Sequence, residues 1–154
     1  MTNEEPLWSL SKAEQEKTPL HAFMGWCAER YGSPREDYDG FHRWSVAQPE
    51  EFWSAIWTFC DVRGEPGRRV LIDGSDMLAA RFFPDATLNF AENLLRHRGP
   101  GDAMIFRGED KVRDRWSWDR LAEEVSRLQQ AFRALGIGKG DRIAAMMPNM
   151  PETV

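Results

Sequence analysis

At 154 residues, with 42% hydrophobic and 12% aromatic side chains, the chain is long and apolar enough to build a real core, which argues against disorder. A formal net charge of -5 disfavours nucleic acid or an anionic membrane as the main partner, since both require a basic footprint. No apolar run reaches the ~18 to 20 residues that span a bilayer, and the acidic opening Met1-Thr2-Asn3-Glu4-Glu5 is unlike a signal peptide, so a cytoplasmic location is expected. Cys27 and Cys60 each lie in an apolar helical setting, which favours buried thiols over a disulfide.

In chain order, residues up to Lys17 are polar apart from Pro6-Leu7-Trp8 and are expected to run over the surface. Thr18-Pro19 then opens a helix whose apolar stripe is Leu20, Phe23, Met24, Cys27 and Tyr31, and Gly32-Ser33-Pro34 stops it. His21 sits beside that stripe with no Cys or His four residues away, so a structural role outweighs metal ligation. A turn at Asp37-Tyr38-Asp39-Gly40 leads to a second helix, which opens at Pro49-Glu50-Glu51 and carries Phe52, Trp53, Ile56, Trp57 and Cys60 on a broad apolar face. Trp44 is expected to join this cluster, as core packing rather than a ligand cage. Arg63-Gly64-Glu65-Pro66-Gly67 reads as a loop and Val70-Leu71-Ile72 as a short strand. Beyond Phe82-Phe83-Pro84 a helix is expected from Leu88 to Leu95, with Asn89 and Glu92 spaced as a cap and its reciprocal partner. Arg96, His97 and Arg98 then place positive charge at its C-terminus, which dipole compensation explains without a bound phosphate.

Gly99-Pro100-Gly101-Asp102 is the best candidate boundary. After it, Ala103 to Phe106 and Lys111 to Trp116 flank Gly108-Glu109-Asp110 as a β-hairpin. Its interleaved Arg107, Lys111, Arg113, Arg115 and Glu109, Asp110, Asp114 make a solvated edge. Trp118, Leu121, Ala122, Val125, Leu128, Phe132 and Leu135 recur at helical spacing, so a long helix is expected with that face buried. Ser117 is its N-cap, Asp119 adds charge to the first turn, and Gly136 supplies the left-handed residue that ends it. The apolar run Ile143 to Met147 lacks alternation, as expected of a strand covered on both faces in a parallel sheet. The fold class is therefore α/β: a helical N-terminal part, then a hairpin, a helix and a strand.

Gly136-Ile137-Gly138-Lys139-Gly140 imitates a phosphate loop in the wrong order. Such a loop follows a strand and opens a helix, whereas these glycines follow a helix and enter a strand, and Lys139 lacks the following Ser or Thr. Glu123 and Glu124 lie on the polar side of the long helix, and nothing pairs them for acid–base work. No nucleophile elbow or zinc spacing occurs, so no catalytic, cofactor-binding or metal residue is assigned.

The segments Ser117-Trp118-Asp119-Arg120-Leu121, Leu135 to Ala144 and Pro148-Asn149-Met150-Pro151-Glu152 together resemble the start of the adenylate-forming domain of acyl-CoA synthetases. Phe82-Phe83-Pro84-Asp85-Ala86-Thr87-Leu88-Asn89-Phe90-Ala91-Glu92-Asn93-Leu94-Leu95 resembles a segment of the acetoacetate-activating members of that family, with Phe82 where they usually have Trp. Pro6-Leu7-Trp8, Arg43-Trp44-Ser45-Val46 and Pro49-Glu50-Glu51-Phe52-Trp53 follow the same pattern in the same order. The resemblance implies an N-terminal helical segment at 1–38, a synthetase-type extension at 39–98 and the start of an AMP-binding domain at 99–154. It implies a two-step ligation in which the acid's carboxylate attacks the α-phosphate of ATP, with Mg²⁺ offsetting phosphate charge, and the CoA thiol then displaces AMP. Acetoacetate, ATP and CoA would serve the whole enzyme alongside the rest of the same polypeptide. The family's ATP-gripping loop and catalytic lysine are expected beyond Val154, so this chain alone is expected to be inactive and to bind none of them. An acetate or propionate synthetase, and a non-catalytic helical interaction module, are the alternative readings.

Overall fold

Ser11 opens the first helical turn of the computed structural model, which describes residues 8–154. The Glu14 carboxylate accepts the Ser11 N–H at 2.9 Å, holding the single turn α1 (Lys12–Gln15) within a stretch expected to run over the surface. The Pro6-Leu7 part of the N-terminal match lies outside the described residues. Two compact units follow from the contacts, residues 1–89 and residues 90–154.

The core of the first unit is aromatic. Thr18 caps α2 (Pro19–Tyr31) by accepting the His21 N–H at 3.2 Å, and Gly32 ends it at φ 66°. The face so aligned buries Phe23, Met24 and Cys27, while Leu20 at its first turn stays exposed. Residues 38–47, expected to begin as a turn, are instead the helix α3 (Tyr38–Ala47). Asp37 is the reason: its carboxylate accepts the Asp39 N–H at 3.1 Å as an N-cap. Gly40 fits there because a Cβ would lie 2.5 Å from the Asp37 carboxylate and 3.2 Å from Pro34. After the single residue Gln48, Pro49 begins α4 (Pro49–Phe59). Phe23 meets Phe41 at 5.7 Å, Phe52 at 6.0 Å and Phe59 at 4.9 Å between ring centroids, and Trp44 stacks near Phe41 at 5.3 Å. Cys60 is exposed, against the expectation of a buried thiol, because it lies one residue past the last turn of α4 as its C-cap.

Two short antiparallel ladders complete this unit. β1 (Gly64–Glu65) pairs with β4 (Thr87–Leu88), and β2 (Leu71–Ile72) with β3 (Arg81–Phe82). The loop expected at 63–67 thus donates a strand, and Leu88 belongs to a strand rather than to the helix expected there. Arg69 ties the ladders by a bidentate pair with Asp85, Nε to Oδ2 at 2.9 Å, a geometry that holds the Asp85 carboxyl below the usual range. Phe83 adopts the left-handed backbone (φ 46°), which is strained for a bulky residue; its ring packs 4.8 Å from Trp57 and its N–H reaches Val70 O at 2.8 Å.

The second unit opens with α5 (Phe90–Leu94), shorter than expected from the sequence. The hairpin β5 (Asp102–Arg107) and β6 (Arg113–Ser117) forms as expected, closed by Gly108 N–H to Val112 O at 2.7 Å. α6 (Trp118–Ala134) is capped by Ser117, which accepts the Arg120 N–H at 3.1 Å. At its other end Gly136 (φ 77°) donates to Arg133 O and Ile137 to Phe132 O, both at 3.0 Å, the paired bonds of a Schellman stop. The burial expected for the whole apolar face is met in part: Leu121 is buried, Trp118, Ala122, Val125 and Phe132 are half-buried, and Leu128 and Leu135 are 54% and 75% exposed.

The run 143–147 forms no strand among the described residues, contrary to the sequence reading. Ile143 and Met147 are exposed and Met146 fully so. The ladders among the described residues join β1 to β4, β2 to β3 and β5 to β6, so although α6 is long enough to serve as a crossover from β6, no strand pairs with the run. The chain bends instead at Pro148 and ends in a 3₁₀ turn, Pro151–Thr153. No helix of the described residues is long and apolar enough to cross a membrane.

Candidate functional site

The polar groups best organised in three dimensions gather where β6 runs into α6. Asp114, on β6, accepts the Trp116 indole N–H at 2.7 Å and an Arg120 guanidinium N–H at 3.1 Å. The Arg120 guanidinium carbon lies 4.4 Å from the centre of the Trp116 ring, itself buried. The indole bond first, and Arg120 second, hold the Asp114 carboxyl below the ordinary carboxylate range. Each member is partnered by another, so this cluster fixes strand to helix.

The start of α6 is occupied in the same way. Asp119 accepts the Gly99 N–H at 2.7 Å and returns its own N–H to Gly99 O at 3.2 Å, while Trp118 N–H reaches Gly101 O at 3.1 Å. A carboxylate thus sits on the positive end of the helix, where an anionic ligand would otherwise be favoured. Beside it a shallow, open depression of about 550 Å³ is lined by Arg98, Asp119, Ala122, Glu123, Ser126 and Arg127. Arg98 turns back onto Leu95 O and His97 O, just past the end of α5, and Arg127 pairs with Glu124 at 2.9 Å. The His97 ring packs 5.1 Å from Trp118.

The remaining residues weighed from the sequence do not converge. His21 lies on α2 and is partly buried, and among the described residues no group of three or more His, Cys, Asp or Glu is placed to hold a metal ion. Burial pushes the Cys27 thiol up to about 11, so it is no nucleophile. In the glycine turn after α6, Asp141 accepts the Gly138 N–H at 2.7 Å and donates its own N–H to Gly138 O at 3.2 Å. A side-chain carboxylate fills the place a phosphate would need, which supports reading this stretch as a helix stop. The Asp114–Trp116–Arg120 cluster was missed in the sequence; its one sequence signal was alternation, which puts Asp114 and Trp116 on the same side of β6.

Comparison with known proteins gives this geometry its class. Residues 38–94 match the family described as acetyl-coenzyme A synthetase N-terminus, and residues 91–154 match AMP-binding enzyme. The chain belongs to the adenylate-forming acyl-CoA synthetase family, of whose members it corresponds to an N-terminal portion.

Within that family the particular likeness is to acetoacetyl-CoA synthetase. The chain is 59% identical over all 154 residues to the acetoacetyl-coenzyme A synthetase of Rhizobium meliloti (strain 1021), covering 100% of itself and 24% of that protein. It superposes on the solved acetoacetyl-CoA synthetase from Streptomyces lividans with a TM-score of 0.84 at 36% identity, covering 97% of this chain and 24% of that one. It is also 33% identical to the malonamoyl-CoA synthetase vrtB of Penicillium aethiopicum, over 95% of this chain and 21% of that protein. The chain thus spans about a quarter of the length of the relatives it matches.

Proposed function

We propose that the chain is the N-terminal part of an ATP-dependent acid–thiol ligase that joins acetoacetate to CoA with release of AMP and pyrophosphate. The observation that carries this reading is the 59% identity to an acetoacetyl-CoA synthetase, sustained without a break in coverage through both units. The name of the malonamoyl-CoA synthetase supports the same substrate class, since acetoacetate and malonamate both carry a carbonyl on the carbon beyond the methylene. In this reading residues 1–38 are an N-terminal helical segment, 39–98 the synthetase-type extension and 99–154 the opening of the AMP-binding domain. The complete enzyme works in the cytoplasm.

ATP, Mg²⁺ and CoA belong to the complete enzyme in this reading. Among the described residues there is no cluster of metal-binding side chains, and the glycine turn is filled by Asp141. No step of the ligation is assigned to a residue of this chain, whose part is to build the extension and the first hairpin and helix of the domain.

Two measurements test the proposal. Pyrophosphate release by the complete enzyme is expected to be faster with acetoacetate than with acetate at equal concentration; a clear preference for acetate refutes the substrate. Calorimetry of the 154-residue chain with ATP and Mg²⁺ is expected to show no saturable heat, and micromolar, Mg²⁺-dependent binding would overturn the division of labour.

A further inference from the structure

The dipeptide Asp-Gly occurs twice in the chain, at Asp39-Gly40 and Asp73-Gly74, and the fold treats the two in opposite ways. We propose that Asp73-Gly74 is a site of spontaneous aspartate isomerisation, where the backbone reroutes through the side chain to give an isoaspartyl linkage, while Asp39-Gly40 is protected.

The chemistry needs no partner but water. The Gly74 amide nitrogen attacks the side-chain carboxyl carbon of Asp73 and one water leaves, closing a five-membered cyclic imide. Water then adds back at one of two carbonyls. Addition at the side-chain carbonyl restores aspartate. Addition at the main-chain carbonyl breaks the original Asp73–Gly74 peptide bond and leaves the chain running through Cβ and Cγ, so mass is unchanged and one methylene enters the backbone. A following glycine favours closure because no Cβ obstructs the attacking nitrogen.

Local structure decides which Asp-Gly can reach the ring. Asp73 and Gly74 lie exposed in the turn between β2 and β3, and Asp73 holds the left-handed backbone at φ 53°, a conformation that costs any residue other than glycine. Isomerisation relieves it by adding a rotatable bond at that point. The turn's own bonds converge on Asp76: its side chain accepts the Leu78 N–H at 2.9 Å, and its carbonyl accepts Ala79 and Ala80. Asp73 enters only through its main-chain carbonyl, which accepts the Asp76 N–H at 3.0 Å. Gly74 lies against the Leu71 side chain alone, and Met77 and Leu78 in the same turn are almost fully exposed, so the turn is bounded by one flexible side chain rather than by a helix. Asp39-Gly40, by contrast, lies in the first turn of α3 with Gly40 buried. The Asp37 carboxylate holds the Asp39 N–H, Phe41 N–H reaches Asp37 O at 2.9 Å, and Gly40 is wedged against Asp37 and Pro34. Closing a ring there requires the helix to open.

The test is ageing of the 154-residue chain in warm, mildly acidic buffer, followed by peptide mapping with electron-transfer fragmentation, which tells isoaspartate from aspartate. Capture of the product by an isoaspartyl-directed methyltransferase gives a second readout. Isoaspartate is expected to accumulate at residue 73 about tenfold or more faster than at residue 39, and the two rates should converge in denaturant. Asp73→Glu, which would need a less favourable six-membered ring, should abolish the signal at that position. Asp73→Asn, aged at neutral to mildly alkaline pH where the backbone amide nitrogen is more readily deprotonated, should form isoaspartate faster than Asp73 and add the mass change of deamidation. Equal rates at the two sites in the folded chain, or no isoaspartate at 73 while the denatured chain forms it, would overturn the proposal.

Discussion

Truncating Phe23 to alanine tests whether the aromatic cluster holds the first unit together. Phe23 is 6% exposed and meets three rings, Phe41, Phe52 and Phe59, each on a different segment from its own or at the far end of α4. Deleting a buried phenyl costs ~3 to 5 kcal/mol through lost transfer and the cavity left behind. Each edge contact adds ~0.5 to 1.5 kcal/mol, but the three share one ring, so they are not summed on top. Against a net stability of ~5 to 15 kcal/mol for an ordinary domain, this is a large fraction. The core here is small: Phe23, Met24, Cys27, Phe41 and Ala55 are its buried members. Phe23→Ala should therefore raise the open population of α2, α3 and α4 by roughly two to four powers of ten, read as lost hydrogen-exchange protection in those helices. Phe23→Leu, which keeps much of the volume, should cost under ~1.5 kcal/mol. Protection in β5 and β6 should hardly move, because those strands belong to the other unit. A loss below about threefold in α2 to α4 would show that the cluster is not the core.

Three further outcomes follow from the geometry. Asp114 is held below its ordinary pKa by Trp116 and Arg120, so its contribution is present above the unfolded carboxylate value and is lost as pH falls through the lower, folded one. Amide shifts of Trp116 and Arg120 should report that acid transition, and Asp114→Asn should remove it; an unchanged transition in the variant would refute the assignment. A thiol reagent at neutral pH should modify exposed Cys60 promptly and Cys27 only on unfolding, since Cys27 is fully buried with its thiol pushed up to about 11; simultaneous labelling of both would contradict the fold. Amides of 143–147 should exchange at near-unfolded rates in the 154-residue chain, because no ladder holds them, and strong protection there would mean that the run finds a partner.

Local signals were legible in proportion to how far they rest on neighbours in sequence. Thr18, Ser117 and Gly136 mark helix ends through bonds that close within three to five residues, and each is found where its chemistry put it. α3 was missed because its opening, Asp37-Tyr38-Asp39-Gly40, has the composition of a turn; only the side-chain bond from Asp37 and the tight seat of Gly40 against Pro34 convert it to a helix. Of the two-residue ladders only β2 is announced, by the apolar run Val70-Leu71-Ile72; the strands β1, β3 and β4 carry no alternation of their own and the pairs join residues 9 to 24 apart in sequence, so no local pattern gives the pairing. As for a site, no residue was assigned from the sequence, and among the described residues the polar groups that do converge are spent on one another.

The failure at 143–147 and the half-met burial of α6 have one cause. Both readings took an apolar pattern as a statement of what surrounds it, and a pattern states only what would be favourable. Periodicity along α6 makes the helix, because caps and 3.6-residue spacing are satisfied within the segment; the same periodicity cannot bring cover, which must come from elsewhere. A strand lacks even that independence. Its hydrogen bonds all lie outside itself, so five consecutive apolar residues yield a strand only where a neighbour is present. Helix and strand preferences of equal strength therefore part company in this unit: α6 stands with Leu128 and Leu135 bare, whereas 143–147 has no element at all.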